Sequence, residues 1–271
     1  MYTKIGFIGS GNMASAIIGG AVKSGFIISE NIYISDVHKI KAQQVAKLYG
    51  VKVLENNLEL VENSEVLILS VKPQVYKIVL DEIKQFIKKD TLIVTIAAGI
   101  SISYVKSFFN SDIKVIRTMP NTPALVGEGM TGITYAPPVE KEDIEFVKSI
   151  FSSFGIVEII DESLMDTFTS LCSSSPAFVA MFIEAMADAG VFLGLSRDKS
   201  YIMAAQAVRG AAKMIIETGM HPGELKDMVC SPGGTAIEGV RSLEASGMRN
   251  SIMEAIIVTA EKAKKLNSKY K

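Results

Sequence analysis

Two glycine turns, Gly9-Ser10-Gly11-Asn12-Met13-Ala14 and Ser231-Pro232-Gly233-Gly234-Thr235-Ala236, stand at opposite ends of the chain, each where a helix should begin. Backbone amides at a helix start point outward without intrahelical partners and carry partial positive charge. Each turn is therefore a seat for an anionic group. The first suits the pyrophosphate of a cofactor. In the second, Ser231, Thr235 and the amides of Gly233, Gly234 and Ala236 can together wrap a small carboxylate, because two glycines after a proline build more concavity than a plain N-cap needs.

The first turn has the G-x-G-x-x-A spacing, with Ala14 in the place where a small residue lets helix and strand pack closely. It follows a strand-like run, residues 4–8, and Asp36 ends the next apolar run at the distance of a ribose-binding carboxylate. Asp36 favours a free 2′-hydroxyl, whereas the nearby His38, Lys39 and Lys41 favour a 2′-phosphate, so NAD and NADP both stay open.

Three further polar turns follow predicted strands: Val71-Lys72-Pro73-Gln74, Ala97-Ala98-Gly99 and Met119-Pro120-Asn121-Thr122-Pro123. In an open α/β sheet that is the edge where ligands bind. Small residues at 97–99 admit a flat ring, and Asn121 offers a donor and an acceptor for a carboxamide. No general base stands out. His38 belongs with the cofactor end, and His221 precedes a proline in a turn. Chemistry with so few protein groups fits hydride transfer, in which the nicotinamide supplies the reactive atom and the protein supplies position and field.

The elements that must hold these turns divide in two. Residues 1–161 alternate apolar runs (4–8, 31–35, 51–54, 66–70, 92–95, 115–117) with amphipathic segments, and further strands are predicted at 132–135 and 156–160 around a helix at 141–154. The runs lack polar alternation, as strands buried on both faces do, so a Rossmann-type, mostly parallel sheet is expected. Residues 162–271 show only helical periodicity, at 164–171, 177–195, 199–218, 223–229, 236–245 and 249–266, and are expected to form an all-helical substrate-binding and dimerisation domain.

The apolar run 176–195 is interrupted by Glu184 and Asp188, which argues against a membrane span. It is too apolar to face water alone, so a second copy of the chain is expected to cover it. Over 271 residues the formal net charge is −1 with both signs interspersed, which gives no basic face for nucleic acid. Cys172 and Cys230 lack ligand-spaced histidines, so neither a disulfide framework nor a metal site is expected. Met1 leads directly into the first apolar run without a basic leader, from which a cytoplasmic location is expected.

The chain resembles the pyrroline-5-carboxylate reductases from end to end. The resemblance rests on Phe7-Ile8-Gly9-Ser10-Gly11-Asn12-Met13-Ala14, Val71-Lys72-Pro73-Gln74, Arg117-Thr118-Met119-Pro120-Asn121-Thr122-Pro123 and Asp188-Ala189-Gly190-Val191. It rests most specifically on His221-Pro222-Gly223 leading to Ser231-Pro232-Gly233-Gly234-Thr235. It implies reduction of the C=N bond of 1-pyrroline-5-carboxylate to L-proline by NADPH or NADH. A homodimer through the C-terminal helices is also implied, with a ring of dimers as the higher assembly.

Carried over by position, Ile8, Gly9, Ser10, Gly11, Asn12, Met13, Asp36, Asn57, Val71, Lys72, Pro73, Ala97, Ala98, Gly99 and Asn121 are implied to hold the cofactor. Ser231, Gly233, Gly234, Thr235 and Ala236 are implied to hold the substrate, at the junction of the two domains. Two departures stand out. Ala236 occupies a position where the family commonly has a second threonine, which leaves Thr235 or water to protonate the imine nitrogen. Ser173-Ser174-Ser175-Pro176 replaces a pattern with glycine between serines, a departure that bears on helix entry more than on chemistry.

The β-hydroxyacid dehydrogenases share this layout but use an early lysine in the helical domain, and residues 161–196 contain no Lys, Arg or His. A non-catalytic dimeric NAD(P) sensor would need the first glycine turn but not the second.

Overall fold

The computed structural model describes residues 2–110 and 112–270. Eight strands form one sheet: β1 (Ile5–Ile8), β2 (Ile32–Ser35), β3 (Lys52–Val53), β4 (Val66–Leu69), β5 (Leu92–Thr95), β6 (Lys114–Met119), β7 (Gly129–Tyr135) and β8 (Gly155–Ile159). Their order is β3-β2-β1-β4-β5-β6-β7-β8. All pairs are parallel except β6 with β7, which are joined by a short connection containing a 3-10 turn. The sheet is thus mostly parallel, as its apolar runs predict, and every predicted strand is present, β5 with the predicted bounds and the others with shifted ends.

Both faces are covered, and side-chain alternation sorts the strands' apolar residues into two cores. Ile5, Phe7, Ile34, Val66, Ile68, Val94 and Ile116 pack with α1 (Asn12–Lys23), α2 (Lys39–Tyr49) and α6 (Lys141–Ser152). Ile8, Leu67, Leu69, Ile93 and Val115 face the other way, toward α3 (Asn57–Glu62), α4 (Tyr76–Ile83) and α5 (Ile102–Lys106). A fully buried side chain of this kind contributes about 1.5–3 kcal/mol, which is why neither face tolerates polar alternation.

Parallel pairing is in step along one row: Ser35 lies beside Ile8, Ile8 beside Leu69, Leu69 beside Thr95 and Thr95 beside Arg117. The loops that begin at Asp36, Gly9, Ser70 and Ile96 therefore leave the sheet at the same edge. The strand order reverses between β1 and β4, and that reversal opens the crevice where ligands bind in such sheets.

The chain forms two compact units, Met1–Ser174 with Thr259–Lys271, and Ser175–Val258. The second contains α8 (Ser175–Phe192), α9 (Arg197–Thr218), α10 (Pro222–Val229), α11 (Thr235–Ala245) and most of α12 (Met248–Asn267). Helices α8 and α9 approach closely through small residues: a Cβ on Gly190 would lie 2.9 Å from Ser200 Oγ. Helix α10 starts with Pro222 in its first turn, and His221 Nδ1 accepts the Gly223 amide at 3.0 Å. This histidine is a helix cap.

The sequence separates a helix at 164–171 from one at 177–195, whereas the structure carries one helical run, Glu162–Phe192. It contains α7 (Met165–Phe168), a wider π-turn at Thr169–Ser174, and α8. Pro176 cannot donate to the preceding turn, and widening the helix just before it lets the run continue. By length and composition this run could cross a membrane, although Glu184 and Asp188 lie within it.

Candidate functional site

The first glycine turn is built by close approach of β1 and β4. Gly9 has φ +100°, and a Cβ there would lie 2.7 Å from the carbonyl oxygen of Ser70, so only glycine fits. The Ser70 hydroxyl donates to the carbonyls of Ile8 and Gly9, and the Gly9 amide donates to Ser35. Gly11 then caps α1 without any side-chain bond, and a Cβ on it would meet nothing within 4 Å. Open space thus stands before an uncapped helix start. By contrast, α3, α5 and α6 are capped by Asn56, Ser101 and Glu140.

Asp36, immediately after β2, is bound to this turn. Its Oδ2 accepts both the amide and the hydroxyl of Ser10 at 2.7 Å, and its Oδ1 accepts the His38 amide at 2.8 Å. Burial pushes its pKa up, but the bonds from His38 and Ser10 outweigh that and hold the carboxyl below its ordinary range. The sequence reading gives Asp36 to a ribose and does not foresee this second task.

A cavity of about 380 Å³ opens at the same edge. It brings together Gly11, Asn12, Met13, Val71, Lys72 and Asn121 from the sequence reading, and adds Ser70, Ile96, Met119, Pro120, Thr122 and Ser173. The remaining residues assigned to the cofactor do not line it. Ile8 and Ala97 are buried in the core below, and Pro73 opens the 3-10 turn after Lys72. Ala98 is half-buried. Gly99, at φ +87°, is backed by Asn267 of α12. Asn57 opens α3 and donates to Glu82 at 2.8 Å.

Asn121 is 7% exposed and engaged at both ends: its Nδ2 donates to the Cys172 carbonyl at 2.9 Å, and its Oδ1 accepts the Met130 amide at 2.9 Å. It thereby ties the π-turn to β7. Ser173, which the sequence assigns to helix entry, presents a buried hydroxyl with no hydrogen-bond partner among the described residues. Its signal is a bond that is missing, and no sequence motif records that. A larger cavity, about 560 Å³, is lined by Tyr2, Phe26, Glu65, Glu142 and Asp143, beside the opposite strand ends, with acids that disfavour phosphate.

These features fit a dinucleotide: a glycine turn at the strand-order reversal, an uncapped helix start with open space before it, an acid after β2 and an unsatisfied hydroxyl in the cavity beyond.

The second glycine turn lies within the helical unit. Gly234 donates to the Ser231 carbonyl at 3.0 Å and Gly233 has φ +67°, which with Pro232 makes a type II turn. Gly234 caps α11 with no side-chain bond. Thr235 is exposed at the first helical position, and Ala236 is half-buried. Gly234 thus offers the amides of this helix start no capping side chain, as Gly11 offers none to those of α1.

Comparison with known proteins decides the family. A protein named pyrroline-5-carboxylate reductase from Escherichia coli (strain K12) is 45% identical over 98% of this chain and 99% of its own length. The chain belongs to the pyrroline-5-carboxylate reductase family. A family member from Methanosarcina acetivorans is 44% identical, covering 98% of each chain. The family model described as pyrroline-5-carboxylate reductase dimerisation matches residues 162–266, and one described as NADP oxidoreductase, coenzyme F420-dependent, matches residues 4–99. The crystal structure of Plasmodium falciparum pyrroline carboxylate reductase with NADP bound superposes with a TM-score of 0.88 at 33% identity, covering 98% of each chain.

Proposed function

We propose that this reductase-family chain reduces the C=N bond of 1-pyrroline-5-carboxylate to L-proline with NADPH or NADH. The observation that carries the reading is the pair of glycine-started, uncapped helices in a chain 45% identical to a named pyrroline-5-carboxylate reductase over its whole length.

When bound, the reduced nicotinamide supplies a hydride to the imine carbon, while a proton goes to the ring nitrogen. The protein's share is position and field. Amides of Gly11, Asn12 and Met13 hold the pyrophosphate, Asp36 addresses the adenosine ribose, and Lys72 adds positive charge beside the phosphates. The type II turn and the start of α11 hold the substrate carboxylate through Ser231, Gly233, Gly234, Thr235 and Ala236. Thr235 is the protein hydroxyl we assign to the imine nitrogen, directly or through water. Fixing both reactants supplies roughly 7–11 kcal/mol of the barrier reduction in well-oriented systems.

Residues 1–161 serve as the dinucleotide-binding domain and residues 162–271 as the substrate-binding and dimerisation domain. The match of the dimerisation model from residue 162 supports that division. A second copy, rather than lipid, covers the apolar helices, and rings of such dimers and a cytoplasmic location follow the same reading. No contact with nucleic acid is proposed.

The test is direct. Purified protein is mixed with 1-pyrroline-5-carboxylate and NADPH or NADH, cofactor oxidation is followed by absorbance, and the product is identified as L-proline. A preparation that binds cofactor yet oxidises none with this substrate overturns the assignment.

A further inference from the structure

The Ser173 hydroxyl is buried, lines the cavity beside the glycine turn, and has no partner among the described residues. Two neighbouring hydroxyls, by contrast, are satisfied. In the same π-turn Thr169 Oγ1 returns to the Met165 carbonyl at 2.8 Å, and at the same sheet edge Ser70 bonds to Ile8 and Gly9. A buried hydroxyl left without a partner is unfavourable, so a group that completes it binds there with advantage.

The position of the cavity identifies that group. Asp36 follows β2, on one side of β1, and marks the adenosine half of the crevice. Ser70, Val71 and Lys72 follow β4, Ile96 follows β5, and Met119, Pro120 and Asn121 close β6, all on the other side. A dinucleotide laid across the reversal of strand order places its nicotinamide half on that second side. Met13, Ile96, Met119 and Pro120 give apolar walls for a flat ring. Asn121, the residue whose type best suits a carboxamide, already has its Oδ1 and one Nδ2 hydrogen bonded to backbone. What Asn121 does is hold Cys172, and hence the neighbouring Ser173, in place.

We propose that the Ser173 hydroxyl hydrogen-bonds the carboxamide of the bound nicotinamide ring and fixes its rotation, with Asn121 as the residue that positions it. The assignment rests on the dinucleotide reading above. A serine hydroxyl both donates and accepts, as the carboxamide does, so the two groups are complementary wherever the carboxamide is turned toward Ser173.

The experiment compares wild type with Ser173→Ala by isothermal titration calorimetry, using NADPH and 2′-phospho-ADP-ribose, which lacks the nicotinamide, and likewise NADH and ADP-ribose. The readout is the ratio of the two dissociation constants in each pair, since any change in how the turn folds moves both. The substitution is expected to weaken the complete cofactor on the order of tenfold while leaving the fragment unchanged. An unchanged ratio overturns the assignment. A wild-type protein that binds neither member of either pair overturns the dinucleotide reading and this assignment with it, so the two failures are told apart.

Discussion

Ser10 delivers its backbone amide and its hydroxyl to one oxygen of Asp36, each at 2.7 Å. With the His38 amide on the other oxygen, three of the roughly four acceptor sites of the carboxylate are filled. One remains for a ribose hydroxyl. The acid after β2 therefore pins the glycine turn as well as facing the ligand.

Asp36→Ala is expected to lower kcat/KM for both cofactors, because the turn loses its anchor, but unequally. The loss with NADH, whose 2′-hydroxyl also loses its acceptor, should be on the order of a hundredfold, against about tenfold or less with NADPH. Steady-state kinetics with both cofactors decide it. Equal losses would leave Asp36 with only its structural task.

Gly11→Ala separates folding from binding. The backbone at Gly11 has φ −67° and a Cβ there meets nothing, so stability should change by less than about 0.5 kcal/mol. The methyl group instead fills the space before the α1 amides, and NADPH affinity should fall at least tenfold. Gly9→Ala, at φ +100° against the Ser70 carbonyl, should cost about 1–3 kcal/mol in stability. Thermal melting beside NADPH titration checks both variants.

How much of this was legible in the sequence depends on the range of the interaction. Strands buried on both faces announce themselves as unbroken Ile, Val and Leu runs, and each predicted run became a strand. The reversed direction of β7 and the continuity of Glu162–Phe192 through a π-turn depend on packing, which local periodicity does not carry. At the site, glycine spacing placed both turns. The bond of Ser10 to Asp36 depends on the register of β1 and β2, and that of Asn121 to Cys172 on where the π-turn packs, and residue type alone shows neither.

Thr235→Ala tests the proton. If this hydroxyl serves the imine nitrogen, kcat should fall on the order of a hundredfold with KM little changed, and Thr235→Ser should restore most of it. If kcat is unaffected, the proton comes from water, as the exposure of Thr235 permits.

Asp143 gives the fold an acid limit. Only 2% exposed, it accepts from the Tyr2 hydroxyl and the Glu140 amide and pairs with Lys114 at 3.0 Å. Burial raises its pKa, but these bonds outweigh that and hold it below the ordinary value. A carboxyl with a depressed folded-state pKa contributes stability that is fully present above its unfolded value, near pH 4, and is lost as pH falls through the folded value. Asp143→Asn should therefore cost about 3 kcal/mol at neutral pH. The difference in melting temperature from wild type should close below pH 4.

Helix α8 predicts the assembly. Val179, Phe182 and Met186 recur at helical spacing on one side, while Met181 and Phe192 lie on the opposite side, and all are exposed in a single chain, Met181 by 68% and Phe192 by 89%. Helix α9 packs against α8 but leaves these residues open. Each gains about 1.5–3 kcal/mol when fully covered, and a second copy of the same apolar helix offers a matching surface. Met181→Glu places a charge in that surface, where burial without a partner costs several kcal/mol. Light scattering after size exclusion should find wild type as a dimer or a multiple of it, and the variant shifted toward monomer. A monomeric wild type would mean that something other than a second copy covers α8.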